Sequence, residues 1–124
     1  MGIMALCLTL SSETDEEPIL TKDKETTIIN TTALADDVEG YVSTTPVKIY
    51  VRKDKVVRVE ALENEETPKY FNLVEVKLLK KWDGMPVKKA ETAKVDVISG
   101  ATISSEAVIE NVRRGISYYN HTKH

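Results

Sequence analysis

Apolar and polar positions alternate twice in quick succession near the middle of the chain. In Val47-Lys48-Ile49-Tyr50-Val51-Arg52, residues Val47, Ile49 and Val51 fall on one side. Lys53-Asp54-Lys55 is a polar turn, and Val56-Val57-Arg58-Val59-Glu60-Ala61-Leu62 alternates again, with Val57, Val59 and Ala61 sharing a side. Two alternating runs joined by a short turn predict an antiparallel hairpin. Pro46 sits at the entry to the first run, where a missing N–H does least harm. Towards the C-terminus the period lengthens. Val108, Ile109, Val112, Ile116 and Tyr119 recur at helical spacing, and Glu106, Glu110, Arg113 and Arg114 fall mostly between them. That pattern predicts an amphipathic helix from Glu106 to Tyr119.

Other stretches are less regular. Thr26-Thr27-Ile28-Ile29-Asn30 reads as a first strand. Thr32 to Val38 mixes helix-friendly Ala33-Leu34-Ala35 with turn-like Asp36-Asp37, and Gly40 then punctuates. Leu73 to Trp82 fits either period: Val74, Val76 and Leu78 for a strand, or Leu73, Val76 and Leu79 for a helix. Asp83-Gly84 is a turn signal, and Met85 to Ala93 reads as a polar connection. Ser11 to Lys24 carries Pro18 and the run Asp15-Glu16-Glu17, the composition of a linker.

Composition narrows the class. A chain of 124 residues, 41% hydrophobic and 30% charged, suits one small globular domain. A net charge of -3 without a basic stripe argues against nucleic acid as a partner. The lone Cys7 excludes an internal disulfide and a cysteine-rich metal site. His121 and His124 lie in a polar tail without a carboxylate cluster at ligand spacing, so no metal site is expected. Met1 to Leu10 is apolar but shorter than the roughly 20 residues a span requires. It is similar to the apolar region of a secretory leader without the positive start, and Met4-Ala5-Leu6-Cys7 is a poor lipoprotein box. An extracytoplasmic protein with an incomplete leader is the expectation.

The densest chemistry lies in Asp96-Val97-Ile98-Ser99-Gly100-Ala101-Thr102-Ile103-Ser104-Ser105. Val95, Val97 and Ile98 are β-branched and read as a buried strand end. Gly100 permits positive φ and close approach of a ligand to the backbone. The helix after it offers unpartnered N–H groups at its start, and Ser99, Thr102, Ser104 and Ser105 add hydroxyls, which together suit a phosphate. The other reading is that Ser104 or Ser105 caps the helix.

Asp96, Ser99, Gly100, Ala101, Thr102 and Ser104 together resemble the flavinylation motif of FMN-binding domains, such as those of the sodium-translocating NADH:quinone reductase and the Rnf electron-transport complex. In that family a flavin transferase esterifies FMN through its phosphate to the last hydroxyl residue, which the resemblance places at Ser104. Threonine is the commoner residue there. The resemblance also gives Asp96 a part in presenting the motif to the transferase, against a plain turn or cap role. A second family motif, Glu66-Thr67-Pro68, comes directly after the hairpin and implies a loop beside the flavin. The family continues with a Gly-x-Gly element, whereas this chain has Lys69-Tyr70-Phe71-Asn72. Phe71 is assigned to the core, while Tyr70 is open to core or flavin. Trp82 is read as a core anchor.

The resemblance implies an α+β fold, a small twisted antiparallel sheet with the C-terminal amphipathic helix packed on it. It favours helix for the stretch after Leu73. It divides the chain into 1–24, leader remnant and polar linker, and 25–124, the FMN-binding domain. The implied cofactor is FMN. Its implied contacts are Ser104, Thr102, Ala101, Gly100, Ser99, Thr67, Pro68 and Glu66, with Asp96 in the motif. Implied partners are a flavin transferase and the redox proteins of a membrane electron-transfer chain. No Ser/His/Asp set, paired carboxylates or nicotinamide-type Gly-rich unit accompanies these motifs, so an electron carrier is expected rather than an autonomous enzyme. Reversible FMN binding, as a carrier or small reductase, and a flavin-free interaction domain are the alternatives.

Overall fold

The computed structural model describes residues 18–122. The leader-like segment, Cys7 and the first half of the linker lie outside the described residues. Four strands form one antiparallel meander in chain order: β1 (Leu20–Asp23), β2 (Thr26–Asn30), β3 (Val47–Arg52) and β4 (Lys55–Ala61). The predicted hairpin is β3 and β4. Thr26–Asn30 is a strand, but the second one. Leu20–Asp23, which reads as linker in the sequence, pairs with it from Leu20↔Ile29 to Asp23↔Thr26. Polar side chains are tolerated there because β1 is an edge strand with little to bury.

A second correction concerns β4. Tyr50 pairs with Arg58 but Val51 pairs with Val56, so the register slips by one residue at a bulge. The slip turns Val56 into the core and leaves Val57 exposed, whereas alternation puts Val57 with Val59. One extra residue inverts the side-chain alternation on its near side.

A helical stretch comes after the sheet: α1 (Pro68–Leu73), a π-helical turn (Val74–Leu78) and a 3-10 turn (Leu79–Trp82). Pro68 opens it, where its missing N–H is no loss. Phe71, Val74, Leu78, Leu79 and Trp82 are all buried, so helix wins over strand here and Phe71 and Trp82 are core residues. Helix α2 (Val87–Thr92) replaces the predicted polar connection. Only Val87 and Ala90 of it are buried, too few apolar positions to announce a helix.

Val95 to Ile98 is not a strand. At the Lys55–Val56 end of β4 the outer edge is met instead by the 84–86 turn: Gly84 N–H donates to Val56 O at 2.7 Å and Val56 N–H to Met85 O at 2.8 Å. Ile98 nonetheless enters the core from an irregular segment.

Helix α3 (Thr102–His121) lies across the sheet on β2 and β3. Val108, Val112, Ile116 and Tyr119 face inward against Ile29, Val47, Ile49 and Val51, as the periodicity predicts. A Cβ on Gly115 would stand 2.6 Å from Ile49 Cδ1 and 2.9 Å from Thr31 Cγ2, so glycine sets the closeness of helix and sheet. Arg114 clasps the outer loop, donating to Leu34 O at 3.0 Å and pairing with Asp37 at 2.6 Å and Glu110 at 2.8 Å. The architecture is α+β. Among the described residues, no helix is long and apolar enough to cross a membrane, and no cluster of His, Cys, Asp and Glu suits a metal ion.

Candidate functional site

Three segments that are far apart in sequence meet at the start of α3. The first is the turn Ser99–Ala101, where Gly100 has φ +91°, a conformation that favours glycine. Ala101 is the residue before the helix, and no side chain caps it. Neither serine is therefore the cap. Ser104 and Ser105 lie inside the first turn, and Ser105 Oγ accepts the Ile98 N–H at 3.1 Å, fastening the irregular segment to the helix. The first intrahelical donor is Ser105 N–H, bonded to Ala101 O at 2.9 Å. The N–H groups of Thr102, Ile103 and Ser104 are the orphan donors of the helix start, at its positive dipole end.

The second segment is the exit from β4. Asn64 Oδ1 accepts Glu66 N–H at 2.9 Å, and Ser43 Oγ accepts Glu65 N–H at 2.9 Å. These bonds turn Glu66 inward, where it is only 5% exposed. The third is the loop after Gly40. Tyr41 N–H donates to Glu66 Oε1 at 3.0 Å, while Val42 and Ser43 N–H donate to Oε2 at 2.6 and 2.7 Å. Ser104 Oγ donates to Oε1 as well. Burial pushes the Glu66 carboxyl up, but Ser104 and the three backbone donors together outweigh it and hold it below its usual range. The carboxylate is thus ionised and its charge is spent on four donors.

Beside this junction lies an open cavity of about 320 Å³. Its lining combines the polar Glu66, Thr67, Thr102 and Ser104 and the small Gly100 and Ala101 with the larger, more apolar Tyr41, Tyr70 and Ile103. Ser104 is 3% exposed, but it borders this space rather than the hydrophobic interior. Tyr70, left open by the sequence, faces the cavity and is 43% exposed.

The structure brings Ser104, Thr102, Ala101, Gly100, Thr67 and Glu66 to one cavity. Two expected contacts, Pro68 and Ser99, stand apart from it, as does the motif residue Asp96. Pro68 borders a second open cavity of about 670 Å³, which Glu66 also lines. Ser99 and Asp96 are exposed on the approach to the turn and do not line the cavity. Sequence reasoning missed Tyr41 and Ile103, which border the cavity, and the Tyr41–Ser43 donors that hold Glu66. Gly40 was the only sign of that loop. A Cβ there would lie 2.8 Å from Glu66 Oε1 and 3.2 Å from Thr45 Cγ2.

Residues 40–117, more than half of the chain, match the FMN-binding domain family. The chain belongs to that family, and its cofactor is FMN. No curated protein and no solved structure matches the chain. The residues present fit the cofactor: three orphan N–H groups and the Thr102 hydroxyl suit a phosphate, and two tyrosines and an isoleucine at the mouth suit a flat aromatic ring system.

Proposed function

We propose that this protein is an electron-carrier module whose flavin is esterified through its phosphate to Ser104. The observation that carries the reading is the position of the Ser104 hydroxyl, at the orphan N–H end of α3 and on the wall of the cavity that also holds Glu66 and Thr67. When bound, FMN supplies one- and two-electron transfer chemistry. The chain's residues hold and orient it. The Thr102, Ile103 and Ser104 N–H groups and the Thr102 hydroxyl bind phosphate oxygens. Tyr41, Tyr70 and Ile103 flank the ring and exclude water from one side of it. Thr67 stands on the loop between these two regions. In the free protein the Glu66 charge is spread over four donors, one of them the Ser104 hydroxyl that esterification removes.

A flavin transferase is the partner this modification requires. Redox proteins of an extracytoplasmic, membrane-associated chain are the partners proposed for the loaded domain. The exposure of Ser99 and Asp96 outside the cavity supports a role for them in presenting the motif to the transferase. The second reading is reversible FMN binding, in which the N–H groups at the start of α3 and the Thr102 hydroxyl hold the phosphate without a bond to Ser104.

Co-expression with a flavin transferase separates the two. Covalent attachment gives flavin fluorescence that survives denaturing electrophoresis and disappears in Ser104→Ala. Fluorescence present natively but lost on denaturation establishes reversible binding instead. A protein that stays colourless with transferase and takes up no added FMN overturns the electron-carrier proposal.

A further inference from the structure

Glu66 and Ser104 are 38 positions apart in sequence, yet the serine hydroxyl points its proton at Glu66 Oε1. The carboxylate is fixed from three further directions by the N–H groups of Tyr41, Val42 and Ser43. Nothing about holding a flavin ring or a phosphate demands a buried anion at this point. An anion next to a phosphate site is electrostatically adverse, unless the carboxylate has a task before the phosphate arrives.

We propose that Glu66 is the proton acceptor for Ser104 when the flavin ester is formed. This rests on the reading of Ser104 as the esterified residue. A serine hydroxyl is a weak nucleophile until an adjacent base takes its proton, and the base must already be within hydrogen-bond reach. Glu66 Oε1 meets that condition in the free protein. Joining free FMN to the serine would expel water and runs uphill in aqueous solution. The donor is therefore a flavin nucleotide with a phosphoanhydride, of which flavin adenine dinucleotide is the representative. Ser104 Oγ forms the new bond to the flavin-side phosphorus. The bond from that phosphorus to the bridging oxygen breaks, and adenosine monophosphate leaves with the electron pair. The serine proton passes to Glu66 Oε1, and no atom changes oxidation state.

The esterified Ser104 has no proton to donate, and the new phosphodiester brings a negative charge to the carboxylate's edge. Glu66 keeps the proton and donates it to an ester oxygen, which replaces a like-charge contact by a hydrogen bond. Three backbone donors still hold the carboxyl group in place.

The test compares labelling rates of folded wild type, Glu66→Gln, Glu66→Asp and Ser104→Ala. Each is incubated with a saturating flavin transferase and flavin adenine dinucleotide, and covalent flavin is read by in-gel fluorescence and peptide mass. Wild type should label at Ser104 and Ser104→Ala should not. Glu66→Gln should label roughly a hundredfold or more slower, the usual contribution of a positioned base. Glu66→Asp keeps a carboxylate and should fall between them. The ratio of wild-type to Glu66→Gln rates, in which the transferase's own titration cancels, should narrow as pH rises and hydroxide replaces the missing base. A purely structural carboxylate would leave that ratio flat, and a flat ratio overturns the proposal. Labelling of Glu66→Gln at the wild-type rate overturns it while leaving Ser104 esterification standing. Failure of wild type to label overturns both. If Glu66→Gln does not fold, equal loss in Glu66→Asp and wild-type-like melting of Glu66→Asp would together count against it.

Discussion

Thr31 donates its hydroxyl proton to Asn111 Oδ1 at 2.6 Å, across 80 positions of chain and inside the core. The same hydroxyl oxygen accepts the Val47 N–H at 2.9 Å, and Asn111 Nδ2 reaches Ala107 O at 2.9 Å and Thr45 Oγ1 at 3.5 Å. One buried amide thereby joins the end of β2, the start of β3 and the middle of α3. It fixes the height of the helix over the sheet, and with it the distance from Ser104 to the Gly40–Ser43 loop.

Asn111→Ala should cost about 2–3 kcal/mol, because Thr31 loses its nearer acceptor, keeping only Val47 O at 3.3 Å, and a cavity opens in the core. Urea unfolding measures the stability. FMN titration should show weaker binding in the same variant, since the helix start is no longer held against the loop.

Gly115→Ala tests how close helix and sheet lie. Alanine favours helix over glycine by about 1 kcal/mol, but the added Cβ meets Thr31 Cγ2 and Ile49 Cδ1. Ile49 can turn its terminal methyl aside, whereas Thr31 is pinned through its hydroxyl. Overpacking of this kind costs about 1–3 kcal/mol, so the net effect should be destabilising by thermal melting.

Gly40→Ala should act on the cofactor site. The new methyl group collides with the Glu66 carboxylate and with Thr45, which are both buried. A loss of about 1–3 kcal/mol in stability is expected. Fluorescence titration with FMN should show reduced affinity, and slower covalent labelling should accompany it.

Glu66 makes the site sensitive to acid. Its folded pKa lies below the ordinary value of 4.5, so its contribution is fully present above that value. The contribution is lost as pH falls through the lower folded value. The difference in melting temperature between wild type and Glu66→Gln should therefore be largest near neutral pH and shrink below pH 4.5.

Tyr119 gives the alkaline counterpart. Burial, then its hydrogen bond to Asp54 at 2.9 Å, push its hydroxyl up from 10 to about 12. The folded state prefers the protonated phenol, so this stabilisation is whole below pH 10 and is lost as pH rises towards 12. Tyr119→Phe should flatten the fall in stability over that window, as followed by melting temperature against pH.

The parts of the fold legible in the sequence are those with sustained periodicity. The β3–β4 hairpin alternates and α3 repeats its apolar positions at helical spacing, because one face of each must leave water. Short elements carried no such signal. Strand β1 buries almost nothing and α2 contributes only Val87 and Ala90, so tertiary contacts decide both. The bulge that exposes Val57 is equally silent, because a slip of register changes no residue type. At the site, the Gly100 turn and the Glu66-Thr67-Pro68 loop were visible as motifs. Tyr41 and the three N–H groups around Glu66 were not, since a backbone donor has no letter in the sequence.

By itself, then, the sequence determined the hairpin and the amphipathic helix through periodicity, and carried two motifs whose resemblance to FMN-binding domains implied the fold class and the residues that meet a flavin phosphate. Only the tertiary structure decided that Ser104 caps nothing and points its proton at Glu66, and that Ser99, Asp96 and Pro68 stand outside the cavity. Those relations depend on the height at which Gly115 and Asn111 set α3 over the sheet. That height comes from packing between segments distant in the chain, and no local propensity encodes it.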